Sequence, residues 1–203
     1  VTYGVQSLMK ILAYRFPFLR ALFQFKPFSW IVAKVYGFIS YNRRVIMPST
    51  KEQPKQFEPS LHKGYRIAYL LFTWIITAFI LNSYSKTLIP LLPASDLFRE
   101  LLICGGQLLW QGVVVCMLKK EKVWDYVGNL MTISFAGALL LEVGLFVQSV
   151  FSLENNYGAL GYFLLLVGFM FLEHVRRTRL LQLSWLLTLS WVLYRCLVLI
   201  FII

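Results

Sequence analysis

Residues 67–83 read IAYLLFTWIITAFILNS, seventeen positions in a row without a charge. The stretch begins where the chain changes character abruptly, just after Arg66. A helix needs roughly 20 predominantly apolar residues to cross a bilayer. Four further apolar runs follow, at 97–118, 126–153, 157–172 and 180–203. A backbone that cannot bond to water must bond to itself, so such segments are helices or strands of a closed barrel. Barrel strands alternate over about ten residues, whereas these runs are continuously apolar. The expected fold class is therefore all-α. It is a polytopic helical membrane bundle of about five transmembrane helices over 67–203, preceded by a short helical cytoplasmic segment.

Composition agrees with that reading. Hydrophobic residues make up 59% of the 203 and charged ones 14%, where soluble domains sit near 45–50% and about 25%. The net charge of +11 could suit nucleic acid, but its distribution argues for a membrane instead. Eleven of the 20 Lys and Arg precede Ile67. Lys119, Lys120 and Lys122 form a second group, and Arg176, Arg177 and Arg179 a third. The connections between these groups hold only Lys86 and Arg99, and 152–156 holds no basic residue. Basic loops thus alternate with nearly neutral ones, as the positive-inside rule requires. The expected location is the cytoplasmic (inner) membrane, multi-pass, with the N-terminus inside and the C-terminus outside. The lipid bilayer is the expected partner, and nucleic acid is not.

Cys104, Cys116 and Cys196 are the three cysteines, and no two form a C-x-x-C pair. Cys104 and Cys116 lie about 18 Å apart on one helix at 1.5 Å per residue, too far for a disulfide. All three are expected to be buried in apolar runs, where isolated cysteines behave as small hydrophobes. His62 and His174 do not suffice for a metal constellation. No metal or cofactor is expected.

The segment before the membrane carries two helical patterns. Val5, Leu8, Ile11 and Leu12 recur at helical spacing over 4–15, and Pro17 closes that element. Ile31, Val32, Val35, Tyr36, Phe38 and Ile39 make an apolar stripe over 29–42, with Ser29 as N-cap. Some 46 residues are too few for an independent core, so residues 1–46 need a partner. The polar, proline-bearing stretch 47–66 reads as a tether between this segment and the membrane region.

Tyr3-Gly4-Val5-Gln6-Ser7-Leu8, Phe16-Pro17 and Tyr36-x-x-x-Ser40-x-Asn42-Arg43 together resemble the C-terminal end of the DCC family (DUF393), thioredoxin-like thiol-disulfide oxidoreductases. Ser40 stands where alanine is usual in that family. Tyr126–Met131 and Gly137–Leu141 resemble the multi-span region of some bacterial members. The resemblance implies that residues 1–46 are the helical remnant of a thioredoxin-like domain, and that this missing N-terminal domain is a partner. The family's Asp-x-x-Cys-x-x-Cys site has no counterpart here, so no catalytic residue carries over. The family-like marks are Tyr36, Asn42 and Arg43. Taken alone, Asn42 and Arg43 suit a helix C-terminus, which favours cations and tolerates a left-handed Asn. The chain starts at Val1 and stops in an apolar run, which reads as a fragment.

Ionisable groups within spans are costly and raise a functional hypothesis by default. Glu142 and Arg195 fall at matching depth, about 22–24 Å from the cytoplasmic ends of their spans. Each sits on a stripe of small or polar residues: Ser134 and Ala138 for Glu142, Ser184 and Thr188 for Arg195. They are expected to face each other, as a packing ion pair or as a charged site for a substrate, proton or quinone headgroup. The alternative is Arg195 snorkelling to the outer interface. Gln107 and Gln111, beside Gly105-Gly106, form a second polar patch suited to interhelical hydrogen bonds. Trp74, Trp110 and Trp124 read as interface anchors, and Glu173 and His174 as the solvated start of a basic turn.

Two functions follow. The first is the membrane-anchoring region of a DCC-like thiol-disulfide oxidoreductase, inactive alone because it lacks the dithiol pair that exchange requires. The second is a non-enzymatic integral membrane protein: transporter-like, lipid-interacting or scaffolding.

Overall fold

A computed structural model describes residues 4–48, 61–89, 91–151 and 155–202. Among these residues helix is the only regular structure, without a strand. Three short-to-medium helices come first: α1 (Val5–Arg15), α2 (Phe18–Gln24) and α3 (Lys26–Ile46). Five helices of the apolar region follow: α4 (Lys63–Ser85), α5 (Leu97–Lys119), α6 (Val123–Phe151), α7 (Asn156–Leu180) and α8 (Leu186–Ile202).

Local chemistry sets the starts. Asp96 accepts the Arg99 amide at 2.6 Å and opens α5. Asn155 accepts the Gly158 amide at 3.0 Å and opens α7. His62 Nδ1 accepts the Tyr65 amide at 3.3 Å ahead of α4. Each bond satisfies one of the amides that a helix N-terminus leaves unpaired.

Among the described residues, three helical stretches are long and apolar enough to cross a membrane: Lys63–Leu88, Leu97–Phe151 and Asn156–Leu180. The second comprises α5, α6 and the short 3₁₀ turn Lys120–Lys122 between them. The chain folds back on itself there. Tyr126 Oη lies 2.7 Å from Gln111 Oε1, whereas fifteen residues of straight helix would separate them by about 22 Å. The fifth apolar run is shorter than its sequence suggests, because Gln182 (φ 54) ends α7 and α8 starts only at Leu186. The fourth is longer. The charges after Leu172 continue the helix because Glu173 pairs with Arg176 and Arg177, one turn on, at 2.6 Å each.

Large apolar side chains lie on the outside of the bundle as well as in its core. Leu102, Leu109, Phe146, Leu164 and Phe169 are exposed on the outer surface, while Thr73, Thr77, Gln107, Gln111, Asn129 and His174 are buried. Lipid removes the penalty for exposed apolar groups and raises it for exposed polar ones. α4 and α6 share the largest interface, and α3 packs on both. Bare backbone permits the closest approaches. A Cβ on Gly106 of α5 would lie 2.5 Å from Tyr194 Oη of α8, and one on Gly128 of α6 would collide with Val45 and Arg66.

The tether reading needs correction where it can be compared. Residues 49–60 lie outside the described residues, but Lys63–Arg66 already belong to α4. At the other side, α3 runs on to Ile46 and packs against the bundle rather than hanging from it.

Candidate functional site

Polar residues converge at three places in the bundle. The first is a central cavity of about 30 Å³ to which all five helices α4–α8 contribute. Thr77 comes from α4, Cys104 and Gln107 from α5, Ser134 from α6, Phe163 and Met170 from α7, and Arg195 from α8. Gln107 and Arg195, separate candidates in the sequence, thus meet. Thr77 Oγ1, Gln107 Nε2 and Arg195 Nε are all buried without a hydrogen-bond partner. Such orphans are uncommon because desolvating an unpaired donor costs about 1–3 kcal/mol. Thr77 departs from its neighbours in this respect. Thr73, Thr132 and Thr178 each turn their hydroxyl onto the carbonyl four residues back, at 2.7–2.8 Å. The Arg195 guanidinium lies 5.2 Å from the centre of the Trp191 ring, a cation–π contact.

Glu142 does not join this site. Its side chain is exposed on the outside of α6, and among the described residues no ion pair links it to Arg195. Equal depth along two helices leaves the rotation of each helix open. Leu141, one residue earlier, takes the inward position instead.

The second place is a buried hydrogen-bond relay beside the cavity. Tyr126 Oη donates to Gln111 Oε1 at 2.7 Å and lies 3.0 Å from His174 Nε2. The tyrosine has one proton, so His174 must donate from Nε2. Its Nδ1 is then the acceptor for Thr188 Oγ1 at 3.3 Å. The arrangement assigns a neutral His174 in its Nε2–H tautomer, with the ring stacked on Trp191. Gln111 Nε2 and Trp110 Nε1 both donate to Ser190 Oγ, at 3.3 and 2.8 Å. His174 is 1% exposed, so it is a core residue and not part of a solvated turn. Gln111 serves this relay and not the cavity. Trp74 also works inside the bundle, donating to the Leu101 carbonyl at 2.9 Å, where an interface anchor was expected.

The third place joins α3 to the bundle. Arg177 of α7 donates to the carbonyls of Val45 and Ile46, at 2.5 and 3.4 Å, and to Asn129 Oδ1 at 2.9 Å. Arg66 donates to the Trp124 carbonyl at 2.8 Å. Asn42 is fully buried inside α3, not at its end, and donates to the carbonyls of Phe38 and Tyr65 at 2.8 and 3.1 Å. Tyr36 and Arg43, the other family-like residues, are exposed; Tyr3 lies outside the described residues.

Of the cysteines, Cys104 lines the cavity, while Cys116 and Cys196 are exposed rather than buried. The sequence reading gave no site role to Thr77, Tyr126, Asn129 or Arg177, and it placed His174 in a solvated turn. Only His174 carried a usable signal there, as one of two histidines.

Comparison with protein-family models, curated proteins and solved structures finds no match.

Proposed function

We infer that this chain is the membrane-anchoring region of a DCC-like thiol-disulfide oxidoreductase, holding the segment that follows the thioredoxin-like domain against the cytoplasmic face of the inner membrane. The observation that carries this reading is the clamp on α3. Arg177 and Asn42 fasten the end of the pre-membrane segment to α4, α6 and α7. Upstream of the clamp, α1 and α2 bury no residue of their own and leave Leu8, Ile11, Phe16, Phe18 and Phe25 exposed. That surface suits a segment whose packing partner lies elsewhere.

Five spans are part of the proposal. The reversal at Lys119–Val123 supports two crossings within Leu97–Phe151. α8, at 17 residues and about 26 Å, is close to the thickness of the hydrocarbon core. The three basic groups also gather at one end. The Arg66–Trp124 bond ties the start of α4 to the α5–α6 turn, and Arg177 ties the end of α7 to the end of α3. Tyr84 and Ala159 meet at the opposite, nearly neutral end, with an Oη–carbonyl bond of 2.8 Å.

Reporter fusions after Lys122, Asn155 and Arg179 test the topology and should read inside, outside and inside. A cytoplasmic signal after Asn155 removes it. A disulfide-reduction assay on the solubilised chain should show no turnover. Turnover abolished in a Cys104/Cys116/Cys196 triple serine variant would contradict the anchoring role. A second reading, a non-enzymatic lipid-interacting protein, is favoured by the orphaned donors of the central cavity.

A further inference from the structure

We propose that the central cavity binds the carboxylate of a single-chain fatty acid, with Arg195, Gln107 and Thr77 as its headgroup ligands. The proposal stands independently of the anchoring role, because no residue of α1–α3 takes part.

The donors specify an acceptor. Thr77 and Gln107 are 3% and 4% exposed, and each carries a buried polar atom with nothing to bond. Arg195 adds a third unpartnered donor and a positive charge. Among the described residues no carboxylate pairs with that charge. The nearest acid on α5, Glu100, lies two turns before Gln107 and is bonded to Ser95 and Arg99. A guanidinium among apolar helices is costly unless neutralised, and an anion supplies what the helices withhold. Charge-assisted bonds to Arg are also about twice as strong as neutral ones.

Size and walls narrow the ligand further. About 30 Å³ holds roughly two water-sized groups, matching the two oxygens of a carboxylate and excluding a bulky head. Leu81, Phe163 and Val167 line the same space and are half-buried. An alkyl chain would leave the head between these apolar side chains, which must part to admit it. Water in the same cavity would satisfy the donors but would add no negative charge beside the guanidinium, which rests on the Trp191 ring.

The test uses the full chain in phosphatidylcholine nanodiscs, with tritiated oleate read by scintillation proximity against empty nanodiscs. At alkaline pH, where the acid is ionised, binding should saturate at one oleate per chain. Unlabelled oleate should displace it, and methyl oleate, which lacks the charge, should need at least about ten times the concentration. Arg195→Gln should weaken binding at least about tenfold. Thr77→Val, which keeps the side-chain shape, should weaken it several-fold and covers the case in which Arg195→Gln does not fold. Equal displacement by the methyl ester, a signal no greater than that of empty nanodiscs, or wild-type affinity in Thr77→Val and Arg195→Gln would each overturn the proposal. The second of these outcomes means a cavity holding water alone.

Discussion

Arg177 and Val45 are 132 positions apart in sequence, and the guanidinium of one donates to the carbonyl of the other at 2.5 Å. The same side chain reaches Ile46, Asn129 and Glu173. A helix leaves its last carbonyls without partners, and a cation there also complements the dipole. α3 therefore ends on a charge supplied by α7, and the pre-membrane segment becomes part of the bundle.

Arg177→Gln should lower stability by about 2–4 kcal/mol, since it removes several charge-assisted bonds and leaves buried carbonyls unpaired. Unfolding in a denaturing detergent titration measures the loss. Limited trypsin digestion should meanwhile cut faster at Arg43 and Arg44. An unchanged cleavage rate would mean that α3 is held mainly by its apolar contacts.

Tyr126→Phe deletes the central hydroxyl of the relay and orphans both Gln111 Oε1 and His174 Nε2. A loss of about 1–2 kcal/mol is expected. In a cycle with His174→Phe the coupling should be near 0.5–1.5 kcal/mol, the scale of interhelical polar contacts in membranes. Strict additivity would show that the two residues do not act as a unit.

Glu142→Gln should leave stability unchanged or raise it, because it removes a charge from the exposed apolar surface of α6. Its effect should add to that of Arg195→Gln without coupling, because Glu142 is exposed on the outside of α6 while Arg195 lines the central cavity. Recovery of folded yield in the double variant would restore the ion pair that the structure does not contain.

Gly106→Ala should cost about 1–3 kcal/mol by overpacking, since the new methyl meets Tyr194 Oη at 2.5 Å. Tyr194→Phe removes that oxygen and should recover part of the loss, although it also gives up the bond to the Ile103 carbonyl at 2.7 Å. Denaturing detergent titrations of the two single variants and the double variant measure both effects.

The helical class was legible from composition and run length alone. An apolar stretch such as 67–83 has no other way to satisfy its backbone in lipid, so neighbouring helices need not be known. The spacing of the basic groups could be read in the same local terms, whereas Ser29, read as an N-cap, lies inside α3. Which faces meet could not. Glu142 and Arg195 matched in depth, but depth is a coordinate along the helix, and pairing depends on rotation about it. That rotation is set by contacts such as Gly106 against Tyr194 and Gly128 against Val45, between residues far apart in sequence. The same contacts bury His174, turn a presumed tether residue, Arg66, toward the Trp124 carbonyl, and place Thr77 beside Gln107 and Arg195. A lone threonine in an apolar run bonds its own helix by default. Only the tertiary structure decided that Thr73 does so and Thr77 does not.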